Sequence, residues 1–111
     1  MAIISSHTLN GSDGTHAGGI SVTLTNLNTG KILFTDCMDD GGRLSRKIPE
    51  DDVDSGAIYE LVFNTKTYWA TRKVLVKVSQ IVLRFEMANP EGVYHMPVII
   101  NPNSYSMWSS A

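Results

Sequence analysis

Apolar and polar residues alternate along most of this chain. In GGISVTLTNL, Ile20, Val22 and Leu24 fall on one side while Ser21, Thr23 and Thr25 fall on the other. Successive side chains of a strand point to opposite faces, so a period of two predicts a half-buried strand. AIYELVFNT places Tyr59, Leu61 and Phe63 on one face, and IVLRFEM does the same for Ile81, Leu83, Phe85 and Met87. IISSHTLN, KILFT and RLSRKI predict further strands. The one helix predicted is short, around TKTYWATR after Thr65, with Tyr68 and Trp69 as its packing anchors.

Turn signals separate these segments at short intervals: Asn10-Gly11, Asp13-Gly14, Gly18-Gly19, Asp40-Gly41-Gly42, Ser55-Gly56 and Asn101-Pro102-Asn103 among them. Short strands punctuated in this way predict an all-β, antiparallel sandwich or small barrel. At 111 residues the chain is expected to form a single domain, residues 1–111.

The segment GVYHMPVIINPNSYSMWSSA breaks the simple rule of one apolar and one polar face. Tyr94, Met96, Val98 and Ile100 form the expected core row, but Val93, Pro97 and Ile99 make the opposite row apolar too, with His95 among them. A sheet apolar on both sides packs against something on its outside, and another subunit is the expected partner. In the first strand His7 shares its face with Ser5 and Leu9. A hairpin at Asn101-Pro102-Asn103 would set Ser104, Ser106 and Trp108 opposite the His95 row. The result would be a groove of imidazole, hydroxyl and apolar groups, suited to a small, polar, planar ligand.

Composition removes several alternatives. Apolar residues make up 42% of the chain, charged residues 18%, and the formal net charge is −2, which places the chain in the globular range. The scattered Lys and Arg leave no footprint for nucleic acid or an anionic membrane surface. Cys37 is the single cysteine, which excludes an internal disulfide framework and a cysteine-based zinc cluster. His7, His16 and His95 lack the close spacing of a metal-binding pair, so no metal is expected. MAIISSHTLNG lacks the basic and apolar regions of a signal peptide, which predicts a cytoplasmic protein. His16, in the polar loop GSDGTHAGG, is expected to be solvated.

Two imidazoles near a guanidinium can hydrolyse a substrate without metal. A histidine neutral near pH 7 takes a proton from water. An arginine, always charged, stabilises developing negative charge. The candidate arginine is Arg43, presented at a strand start by the turn before it.

Four stretches carry a resemblance to a known family: SSHTLN, the Asp-Gly-Gly-Arg turn of DDGGRL, IYELVFNTKTYW, and VYHMPVIINPNSYS. In this order they resemble the transthyretin family, and within it the branch that hydrolyses 5-hydroxyisourate. The resemblance implies a transthyretin-like β-sandwich of seven to eight strands with one short helix, assembled as a homotetramer, a dimer of dimers with active sites where the dimers meet. It implies a purine-derived substrate, no cofactor, and a catalytic set that falls on His7, Arg43 and His95. Ser104, Ser106 and Trp108 are the expected substrate contacts. The hormone-binding members lack the catalytic set; a non-catalytic carrier of a flat aromatic ligand is the alternative.

Two departures stand out. The turn has one glycine more than the family's usual Asp-Gly-Arg. The tail reads Trp108-Ser109-Ser110-Ala111 where the hydrolases end in Tyr-Arg-Gly-Ser. Loss of a charge-assisted contact there implies a rate lower by roughly 10²–10³.

Overall fold

The computed structural model describes residues 1–109; Ser110 and Ala111, half of the altered tail, lie outside the described residues. Two sheets face each other. One contains β1 (Ala2–Asn10), β4 (Arg43–Ile48), β7 (Val93–His95), β8 (Val98–Asn101) and β9 (Ser104–Met107). The other has the order β3 (Ile32–Cys37), β2 (Ser21–Asn26), β5 (Tyr59–Asn64) and β6 (Ile81–Phe85). Pairing is antiparallel throughout except for β1, which runs parallel to β7 and β8. This is the all-β sandwich that the alternation and turn spacing predict, with nine strands in place of the seven to eight expected and with parallel pairing along one edge of β1.

The core lies between the inward rows. Ile4, Val98 and Ile100 come from the first sheet; Val22, Leu24, Tyr59, Leu61 and Phe63 come from the second; all are fully buried. Burial of such side chains is the main favourable contribution to folding. The short helix α1 (Thr65–Thr71) follows β5 directly and buries Tyr68 and Trp69, as its sequence predicts. Tyr68 also accepts a hydrogen bond at its hydroxyl from Asn10 Nδ2 (3.0 Å), which ties the helix to the end of β1.

β7 and β8 keep one register against β1, with Ser5 opposite His95 and Thr8 opposite Val98. They are a single line of chain, interrupted where Pro97 has no N–H to give to the ladder. The core row predicted for this segment holds at Met96, Val98 and Ile100, which are buried, while Tyr94 is half-buried. The predicted hairpin also forms, with Ile99 opposite Ser106.

Thr8 fixes two connections at once. Its hydroxyl, fully buried, donates to the Ala17 carbonyl (2.6 Å), and its backbone N–H donates to the Gly42 carbonyl (2.8 Å). The loop after β1 and the turn before β4 are thereby held side by side. Gly42 sits in the left-handed region (φ 72°), and a Cβ there would lie 2.5 Å from the Thr8 carbonyl oxygen. Glycine at position 42 therefore has a steric reason. Gly42→Ala is expected to destabilise the fold by about 2 kcal/mol or more, from strained backbone and the clash with Thr8. Urea unfolding of the variant against the wild type measures it.

Candidate active site on the outward face of the first sheet

Alternate residues of β1 point away from the core. Ile3, Ser5, His7 and Leu9 form this row, all half-buried. The pairing decides their neighbours. His7 stands opposite Arg43 and Ser5 opposite Ser45 on the β4 side, while Ser5 stands opposite His95 on the β7 side. Residues directly opposite on one face lie within side-chain reach.

His95 is fixed by this arrangement. Its Nδ1 is 2.8 Å from the Ser5 hydroxyl. Beyond it, the Met96 N–H donates to the Ser5 carbonyl (2.9 Å) and the Ser6 hydroxyl donates to the Met96 carbonyl (2.7 Å). The chain on the C-terminal side of His95 is thus pinned to β1 before Pro97 interrupts the strand.

Arg43 begins β4. Its backbone N–H donates to the Asp39 carboxylate (2.9 Å), and the Gly42 N–H donates to the Asp39 carbonyl (3.0 Å). Asp39 thus braces the turn through the backbone. Among the described residues the Arg43 guanidinium forms no ion pair, which leaves its charge for a ligand. Ser5, Ser6, Asp39, Arg43, Leu44, Ser45 and His95 line a shallow cavity of about 330 Å³. Arg43 and His95 therefore share one cavity. His7 stands beside it, next to Arg43 in the pairing, and is not part of its lining.

His16 is exposed, as its polar loop predicts, but it also has a partner that was not foreseen: its Nδ1 lies 2.9 Å from Nε2 of His7, with ring centroids 5.0 Å apart. The loop places it there by folding back over β1: His16 forms a β-bridge with Leu9, and the Ala17 N–H donates to the Thr8 carbonyl (2.9 Å). A return of this kind leaves no mark on periodicity. The only available signal was the glycine-rich composition of the loop, which says that it turns but not what it covers.

The proton affinity of His7 falls below the ordinary histidine value of 6.5. Burial is the largest cause, followed by the positive charge of Arg43 and then His16; the Gly41 backbone, as an acceptor, acts the other way, and His95 adds a small further lowering. His7 is therefore the neutral form at pH 7, able to accept a proton.

The other expected contacts lie further off. Ser104 and Ser106 are exposed on β9, opposite Asn101 and Ile99, and Trp108 follows them, 48% exposed. Within one chain they do not line the cavity with Arg43 and His95. Among the described residues no cluster of three His, Cys, Asp or Glu side chains converges as metal ligands would.

Comparison with known proteins places this geometry in context. The model of the HIUase/Transthyretin family matches residues 4–109. The chain is 28% identical over 114 residues to a 5-hydroxyisourate hydrolase of Pseudomonas aeruginosa, covering 97% of this chain and 90% of that protein. It is 30% identical over 109 residues to a probable 5-hydroxyisourate hydrolase of Caenorhabditis elegans, covering 96% and 79%. In three dimensions it matches the 5-hydroxyisourate hydrolase of Klebsiella pneumoniae with a TM-score of 0.84 at 24% identity, over 100% of both chains. Sea bream transthyretin in complex with thyroxine matches with a TM-score of 0.83 at 20% identity, over 97% of this chain and 94% of that one. At these identities the structural matches speak for the fold alone.

The lowered proton affinity of His7 has a sign that can be checked. A folded value below the unfolded one means the folded state binds fewer protons, so this contribution to stability is present above pH 6.5 and is lost as pH falls through the folded value. The His7 ring is expected to titrate below 6.5, and its midpoint to rise in Arg43→Gln, which removes a neighbouring positive charge. Imidazole resonances followed by NMR from roughly pH 5 to 8 read both.

Proposed function

The chain belongs to the HIUase/Transthyretin family, and from that premise we propose that it hydrolyses 5-hydroxyisourate to 2-oxo-4-hydroxy-4-carboxy-5-ureidoimidazoline. The observation that supports this best is the register that sets His7 opposite Arg43 and brings Arg43 and His95 into one cavity. The names of the bacterial and nematode relatives point to the same substrate.

The reaction opens a cyclic amide. Water adds to the ring carbonyl carbon, a C–O bond forms, the C–N bond breaks, and the leaving nitrogen takes a proton. In the proposed assignment neutral His7 removes the proton from water. The Arg43 guanidinium faces the oxygen on which negative charge develops. His95, held by Ser5, orients the ring and donates a proton to the leaving nitrogen, recovering one from the carboxylic acid that forms.

The working unit is proposed to be a homotetramer. The outward face carries Ile3, Leu9, Val93 and Ile99 beside the polar groups, and Val93 is 59% exposed. An apolar row of this kind is suited to burial against another subunit. Ser104, Ser106 and Trp108 are proposed as substrate contacts that reach a site when β9 meets a neighbouring chain.

The experiment follows the ultraviolet decay of 5-hydroxyisourate made in place from urate and urate oxidase. The wild type is expected to accelerate it. His7→Ala, Arg43→Ala and His95→Ala are each expected to lower kcat by roughly 10²–10⁴, with the tetramer intact on a sizing column. A folded wild-type tetramer that leaves the spontaneous decay unchanged overturns the hydrolase in favour of a carrier.

A further inference from the structure

The contact between His7 and His16 extends the proposed site beyond the three residues assigned to it. We propose that His16 is a positioning residue for His7, holding its ring through the bond between Nε2 and Nδ1 and carrying to solvent the proton that His7 collects. This rests on the reading of His7 as the base.

The geometry supplies the parts. One N–H lies between the two rings across 2.9 Å, and the rings are inclined by only 27°. In the working form the His7 Nε2–H donates to His16 Nδ1, which leaves His7 Nδ1 to take a proton from water. Protonated His7 then has two N–H groups, and the one facing His16 becomes a charge-assisted donor. It passes that proton to His16 Nδ1, and His16, whose ring is exposed, releases its own Nε2 proton to solvent. Both rings end neutral and one proton has left the site; each ring then carries its proton on Nδ1, and exchange of ring protons with solvent restores the starting tautomers before the next turnover.

The surroundings favour this direction. The charged or titratable groups facing His7 are Arg43 from β4, His95 from β7 and His16 from the loop. Asp39, in the turn beside them, is engaged by the Arg43 backbone. A positive charge left on His7 would therefore meet Arg43 with the Gly41 backbone as an acceptor but no carboxylate counterpart, and transfer to the exposed ring relieves that repulsion. The loop is held for the task, since Ala17 is bonded to Thr8 through both its N–H and its carbonyl.

Two substitutions separate holding from carrying. His16→Ala removes both, and His16→Asn keeps a polar group near the place of Nδ1 but cannot relay a proton. In steady-state hydrolysis of 5-hydroxyisourate, His16→Ala is expected to lower kcat about tenfold with KM changed less than about twofold. The acid limb of its pH profile is expected to move upward, because His16 no longer depresses His7. Added imidazole is expected to restore turnover in His16→Ala, and His16→Asn is expected to remain slow. Unchanged kcat and acid limb in His16→Ala overturn the proposal, and full activity in His16→Asn overturns the relay. NMR titration of His7 in His16→Ala keeps this separate from the proposed function. If the wild type proves inert toward 5-hydroxyisourate, the assignment of His7 as base and the relay fall together, whereas an unmoved His7 midpoint in His16→Ala overturns the positioning role in any case.

Discussion

β1 is hydrogen-bonded along both edges, antiparallel to β4 and parallel to β7 and β8, and its nine residues alternate without a break between core and outward face. A shift of one residue in this register would exchange the two faces, sending Ser5 and His7 into the core and Ile4 out of it. The buried row of Ala2, Ile4, Ser6, Thr8 and Asn10 therefore locks the outward row in place. The position of the candidate site follows from core packing, and its precision comes from the ladder. Thr8 extends the same control to the loop with His16 and the turn before Arg43.

The electrostatic character of the face follows from what stands on it. Three imidazoles and a guanidinium gather there, and the nearby carboxylate of Asp39 is engaged by a backbone N–H. Burial, and after it the positive charge of Arg43, lowers the proton affinity of His7, so the same cluster supplies a fixed positive charge and a neutral base. Such a pairing suits a reaction in which a proton is withdrawn while negative charge grows on an oxygen. Ser5 and Ser45 add hydroxyls to the cavity wall without adding charge.

Much of this was visible in the chain as written. The period-two pattern gave the strands, the placement of Tyr68 and Trp69 gave the helix anchors, and the two-sided apolar segment around His95 marked an unusual face. Strand faces and the turn before β4 marked His7, His95 and Arg43 as candidates, and family resemblance joined them into one catalytic set. Three features required coordinates. The contact of His16 with His7 depends on a loop folding back over β1. The parallel pairing of β1 with β7 and β8 joins segments about 90 residues apart, as in Ser5 with His95, and no local pattern encodes it. The role of Gly42 depends on the approach of Thr8, a contact absent from any window of the sequence.

The claim on which the rest stands is that the sheet register makes Arg43 and His95 parts of one site. A double-mutant cycle on kcat, combining Arg43→Ala with His95→Ala in hydrolysis of 5-hydroxyisourate, tests it most directly. Groups that act on the same transition state give strongly non-additive losses. The double variant is predicted to be little slower than the slower single variant. Losses that multiply, with each substitution costing the same whether or not the other is present, would contradict a shared site.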